Sequence, residues 1–118
     1  MYRDLHAVIS VRLFTDQKSF GPGVAELLHR VDEHHSLRAA AKSMELAYSK
    51  AWTIMKRAEE SLGIKLIESS TGGRNGGGAS LTGDGKRFLE AYDSYCMKIR
   101  AYSDELLAKE FSFYGEKK

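Results

Sequence analysis

From Thr71 to Gly85 the chain reads TGGRNGGGASLTGDG, and no helix or strand can run through the glycines in its middle. Gly72, Gly73, Gly76, Gly77, Gly78, Gly83 and Gly85 are seven of the eleven glycines in the 118-residue sequence. Glycine loses more backbone freedom on ordering than any other residue, so such a run serves a turn, a bare-backbone contact or a linker. A linker needs a foldable unit on each side. Only 33 residues follow Gly85 (118 − 85), and they read as one helix, so that reading fails on length. Phosphate loops fail on spacing. A Walker loop needs G-x-x-x-x-G-K and then Ser or Thr, but Ser80 stands at the first glycine and Arg87 at the hydroxyl. The dinucleotide pattern breaks at Leu81, where its third glycine belongs. A hairpin with Arg74 and Asn75 at its tip survives, with a solvated disordered loop as the competing reading.

The remaining bulk properties bound the class. One cysteine, Cys96, excludes an internal disulfide and suits a reducing compartment, so the expectation is cytoplasmic. No apolar run approaches the ~18 residues needed to span a bilayer, and the N-terminus does not read as a secretory signal. The net charge of +2 is small, but its distribution is uneven. Lys and Arg minus Asp and Glu give −1 for residues 1–35, +3 for 36–76, +1 for 77–100 and −1 for 101–118. The basic part surrounds the middle of the chain, a lean towards a polyanionic partner.

Periodicity places the elements. Val8 to Phe14 alternates, with Ile9, Val11 and Leu13 on one side, which predicts a half-buried strand. TDQKSFGPG then reads as a turn, and Pro22 fits the first position of a helix. Val24, Leu27, Leu28 and Val31 make one apolar helical face. A second helix starts at the N-cap Ser36 and buries Leu37, Ala40, Ala41 and Met44. After a break at Glu45-Leu46-Ala47 a third helix runs from Tyr48 to Leu62 and stops at Gly63. Its inner residues are Ala51, Met55, Ala58 and Leu62; Tyr48, Ser49, Thr53 and Lys56 fall opposite, with Trp52 between and read as buried against protein. IKLIES and GASL form the hairpin arms. From Thr82 a final helix steps through Phe88, Tyr92, Tyr95, Ile99, Tyr102 and Leu106 at intervals of 4, 3, 4, 3 and 4, a heptad seam, and the tail after Lys109 is expected to fray.

Two helices joined by a three-residue break, the second with a polar outer face, match the helix-turn-helix plan, although an ordinary helical bundle shows similar spacing. The motifs FGPG at 20–23, AYSKAW at 47–52, TGGRNGGGA at 71–79 and LTGDG at 81–85 carry a more specific likeness. Over Val8 to Tyr95 the chain resembles the winged helix-turn-helix domain of ModE-type, molybdate-responsive transcription regulators, and more distantly that of LysR-type regulators. The resemblance implies a mainly α fold with a little β, one winged helix-turn-helix domain over residues 1–118, with the helix-turn-helix at about 36–63 and the wing at about 64–81. A long C-terminal dimerisation helix follows at about 82–109. It implies a sequence-specific regulator that binds double-stranded DNA as a homodimer and is not an enzyme. Tyr48, Ser49 and Thr53 would meet base edges or phosphates, Lys50, Lys56 and Arg57 phosphates, and Thr71, Arg74 and Asn75 would act from the wing, with Ser36 counted beside them. Tyr92, Tyr95, Ile99, Tyr102 and Leu106 would join the two copies.

The chain departs from the family at Ala47, where a serine usually opens the recognition helix; losing that cap typically costs ~1 kcal/mol. Full ModE regulators carry molybdate-binding C-terminal domains, for which 118 residues leave no room, so molybdate sensing is not carried over and any effector is unknown. Two rival functions stay open: a winged protein-interaction module, favoured by the modest charge and the acid pair Glu59-Glu60, and oxyanion binding by the wing amides. HRVDEHH places His29 and Glu33 four apart with His34 and His35 behind, but a third convergent ligand is lacking, so neither metal nor cofactor is expected. Cys96 reads as a packed thiol, and no catalytic constellation stands out.

Overall fold

The computed structural model describes residues 4–70 and 78–115, which form two separate two-stranded sheets and four helices. The order is β1 (Leu13–Phe14), β2 (Lys18–Phe20), α1 (Pro22–His34), α2 (Leu37–Ser43), α3 (Tyr48–Leu62), β3 (Ile67–Ser70), β4 (Gly78–Leu81) and α4 (Gly83–Glu110). The fold is mainly α with a small β part, as the motifs imply.

The first hairpin corrects the sequence reading. Burial does alternate from Ile9 to Phe14, yet only Leu13 and Phe14 join a ladder, and the expected turn supplies the partner strand β2. A register shift sets Ser19 out of the ladder as a bulge. Its buried hydroxyl joins those of Thr15 and Ser61, and Thr15 Oγ1 lies 2.7 Å from Ser61 Oγ. Three hydroxyls thus pin the hairpin to the last turn of α3.

Pro22 opens α1 as expected, and Leu27, Leu28 and Val31 are wholly buried. Each such side chain contributes ~1.5–3 kcal/mol against exposure. Ser36 caps α2, accepting from Ala39 N–H at 3.0 Å, and small Ala40 and Ala41 let α1 approach α2 closely. Glu45 takes a positive φ of 59° in the turn before α3. That helix begins at Ala47 without a side-chain cap and ends at Gly63, whose φ of 75° is the left-handed stop that glycine favours.

β3 and β4 pair antiparallel, Ile67 opposite Leu81 and Ser70 opposite Gly78, so the glycine stretch connects the arms of a hairpin. Residues 71–77, with Thr71, Arg74 and Asn75, lie outside the described residues. The hairpin is fastened at both ends of the core. Ala79 N–H donates to His35 O at 3.0 Å, and Thr82 N–H donates to Leu66 O at 3.0 Å. Thr82 also caps α4, accepting from Gly85 N–H at 2.8 Å while donating to Lys65 O at 2.6 Å.

α4 has 28 residues, about 42 Å at 1.5 Å per residue. Its buried stripe is Gly85, Leu89, Tyr92 and Cys96. The heptad seam lies about 70° away around the same helix at 100° per residue. Tyr92, read as a dimer residue, therefore needs correction. It is 5% exposed, meets Phe20 edge-on at 4.9 Å and donates to Val11 O at 2.7 Å, so it belongs to the core of its own chain. Tyr95, Tyr102 and Leu106 remain exposed and Ile99 half-buried. Past Cys96 the helix runs on beyond the other helices, with Asp4, Leu5 and His6 beside its Asp104, Leu107 and Ala108, and the molecule measures 67 × 30 × 21 Å. Residues 111–115 form turns beyond it.

A Cβ on Gly85 would lie 2.2 Å from Leu66 O, a backbone atom with no room to move. Gly85→Ala is therefore expected to lower unfolding free energy by about 1–3 kcal/mol in a urea titration. Burial, and then the hydrogen bond to Cys96, push the Tyr92 hydroxyl from 10.0 up to about 12. The neutral phenol is the form the core favours, so its contribution is complete below pH 10 and declines from 10 to 12. Unfolding curves of wild type and Tyr92→Phe at pH 8 to 11 should converge as pH rises; parallel pH curves would contradict this.

Candidate nucleic-acid interface

On a helix that turns 100° per residue, burying Ala51, Met55 and Ala58 forces Ser49, Thr53, Lys56 and Glu60 outward. Ser49 and Lys50 are exposed, Thr53 and Lys56 half-buried. α3 thus presents a hydroxyl-bearing and cationic outer face, with the β3–β4 arm along one flank and the β1–β2 hairpin along the other.

Between α3 and the β3–β4 arm lies a cleft of about 460 Å³ whose walls include Arg38, Tyr48, Trp52, Lys56, Lys65 and Glu68. Arg38, from the first turn of α2, sets its guanidinium 4.2 Å from the centroid of the Tyr48 ring. A cation held over an aromatic face is oriented without being neutralised, worth ~0.5–1 kcal/mol at an exposed site. Trp52 corrects the expectation of burial: it is 48% exposed, and Lys56 Nζ lies 5.5 Å from its ring centroid. Two aromatics with a cation each therefore border the cleft.

Its floor is a carboxylate. Glu59 is 6% exposed, and its Oε2 accepts the N–H groups of Leu66 at 2.9 Å and Ile67 at 3.2 Å. Its Oε1 draws in Lys56 Nζ at 3.5 Å and Lys65 Nζ at 3.9 Å. The acid pair Glu59-Glu60 is thus no surface feature: only Glu60 faces out. That removes one motive for the protein-interaction reading.

The other predicted residues divide. Ser49, Thr53 and Lys56 share the outer face and Tyr48 the cleft edge, while Lys50 is exposed on the side of α3 that carries Arg57. Ser36 sits one residue before α2, its hydroxyl engaged as the cap. Arg57 is turned away from the cleft and lines a groove on the β1–β2 side. Arg38 and Lys65 were missed by sequence reasoning; the signal for Arg38 was its place in the first turn of the helix before the recognition helix. His29 Nε2 pairs with Asp93 across α1 and α4 at 2.7 Å, and among the described residues no three His, Cys, Asp or Glu converge. No helix among them is long and apolar enough to cross a membrane.

Comparison with known proteins bears on this face. The family model of bacterial regulatory helix-turn-helix proteins of the lysR family matches residues 24–86. The transcriptional regulator ModE of Haemophilus influenzae is 35% identical over 81 residues, 69% of this chain and 30% of its own length. The DNA-binding transcriptional dual regulator ModE of Escherichia coli is 33% identical over 90 residues, 75% of this chain and 34% of its own. The chain thus spans about a third of the length of these curated relatives. Among solved structures, the CbnR_DBD–DNA complex is similar with 25% identity and a TM-score of 0.58, covering 75% of this chain and 95% of that one.

Glu59→Ala would leave two amide donors at the base of the wing without an acceptor. The expected loss is about 3 kcal/mol by chemical denaturation, with Glu59→Gln, which keeps an acceptor, losing less.

Proposed function

The chain belongs to the lysR family of bacterial regulatory helix-turn-helix proteins, and from that premise we propose that it regulates transcription as a homodimer bound to specific double-stranded DNA. One observation carries this reading: the stacked Arg38–Tyr48 pair, Ser49 and Thr53 lie on the exposed side of α3 at its start, beside the base of the wing, with Lys50 exposed farther round the helix. The names of the relatives agree, one a DNA-binding transcriptional dual regulator and another crystallised with DNA.

In this reading α3 enters the major groove, which admits one helix. Tyr48, Ser49 and Thr53 offer hydroxyls to base edges, while Arg38, Lys50 and Lys56 meet phosphates. Thr71, Arg74 and Asn75 reach the adjacent backbone or minor groove from the tip. Phosphate contacts supply most of the salt-sensitive affinity and base contacts select the site. Tyr95, Ile99, Tyr102 and Leu106 of α4 join two copies, so the target is a dyad with half-sites about one or more helical turns apart. The chain acts as a binding protein and not as an enzyme.

Selecting bound duplexes from a randomised pool tests this. Enrichment of a two-fold symmetric motif is the expected result, and recovery of unselected sequence would overturn it. Within that assay Arg38→Ala and Lys50→Ala should each weaken binding to all duplexes alike and reduce the salt slope by about 1. Thr53→Ala should instead relax discrimination at one position.

A further inference from the structure

On the flank of α3 opposite the cleft lies a second groove of about 670 Å³, within the ~300–1,000 Å³ typical of small-ligand sites. Pro22, Val24 and Ile54 form its apolar part, and Arg12, Lys18 and Arg57 bring three cations to it. Among the described residues no carboxylate lines it. The contrast with the wing-side cleft is sharp, since Glu59 and Glu68 are part of that lining and two lysines there turn to Glu59. Arg12 is placed by packing: the position of a Cβ on Gly21 would be 3.4 Å from its Cγ, so its stem lies on that backbone.

The mouth of the groove at Lys18 and Pro22 lies away from Arg38 and Tyr48, although its Ile54 follows Thr53 on α3. α1 runs from Pro22, at the groove, to His34, next to the N-cap of α2 and hence to Arg38. Its 13 residues span about 20 Å. Pro22 and Arg38 thus mark opposite ends of α1, and a duplex seated on Arg38, Tyr48 and Ser49 leaves Lys18 and Pro22 open. Three cations beside an apolar wall, without an acid, suit a ligand with a negative head and a hydrophobic body better than a bare phosphate, which gains nothing from Val24 or Ile54.

We propose that this groove binds a small organic carboxylate with an apolar body, its carboxylate met by Arg12, Lys18 and Arg57 and its body laid on Pro22, Val24 and Ile54. Ile54 and Arg57 belong to α3, so the bound acid touches the recognition helix from behind. The site is independent of whether the opposite face takes DNA.

Titrating the full chain with phenylacetate, followed by amide NMR shifts, tests the assignment. Phenylacetate should bind saturably, with shifts confined to residues 12–24 and 54–58, while phenylacetamide, acetate and inorganic phosphate bind more weakly. Lys18→Ala and Arg57→Ala should each weaken phenylacetate about tenfold, the usual scale of a lost charge-assisted contact, and Arg57→Lys should restore part of it. Absence of saturation, equal affinity for phosphate, or shifts centred on the wing-side cleft would each overturn the proposal. Duplex binding by the same wild-type sample, measured in parallel, keeps failure here separate from failure of the DNA reading.

Discussion

The peptide of Leu66 is where the molecule is held together. Its N–H ends on the buried carboxylate of Glu59, from α3. Its carbonyl accepts from Thr82 N–H and lies against the bare backbone of Gly85, at the start of α4. Recognition helix, wing and projecting helix therefore meet at one residue whose side chain is itself wholly buried. A carboxylate accepting two amide hydrogen bonds is a strong clamp, and leaving those donors unmet in the core is costly. The angle between α3 and the β3–β4 arm, and with it the width of the cleft, depends on that contact.

Much of this was legible in the sequence. The limits of α3, the stop at Gly63, the Ser36 cap and the paired arms around the glycines follow from local chemistry, which depends on neighbours a few residues away. What escaped depends on distant partners. Lys18–Phe20 reads as a turn because its ladder with Leu13 and Phe14 is two residues long and interrupted by a bulge. Tyr92 fits a heptad and a core stripe equally well, and only the position of Phe20 decides between them. Glu59 looks like half of an acidic surface pair, although four residues beyond Met55 it falls next to the inward face; an acid at that phase was the available signal. Trp52 stands at the rim because the side it occupies fronts an open cleft and not a packed wall.

The two flanks of α3 are chemically unlike. Along the wing side, aromatic rings hold Arg38 and Lys56 in place and a buried acid draws in Lys56 and Lys65. Along the hairpin side, three cations and an apolar wall meet without an acid. The β1–β2 hairpin that builds the second flank precedes residue 24, where the family match begins, and three hydroxyls pin it to the C-terminal turn of α3. This helix thus has a second lined surface.

The half of α4 beyond Cys96 carries a geometric consequence. In the proposed dimer that stretch, flanked near its far end by Asp4–His6, behaves as a caliper arm whose length and rotational phase set how far apart, and at what twist, two reading heads sit. Inserting a single residue there would rotate the apolar seam by about 100° and lengthen the arm by ~1.5 Å. Each globule would keep its shape, while the pair would be set for a differently spaced target.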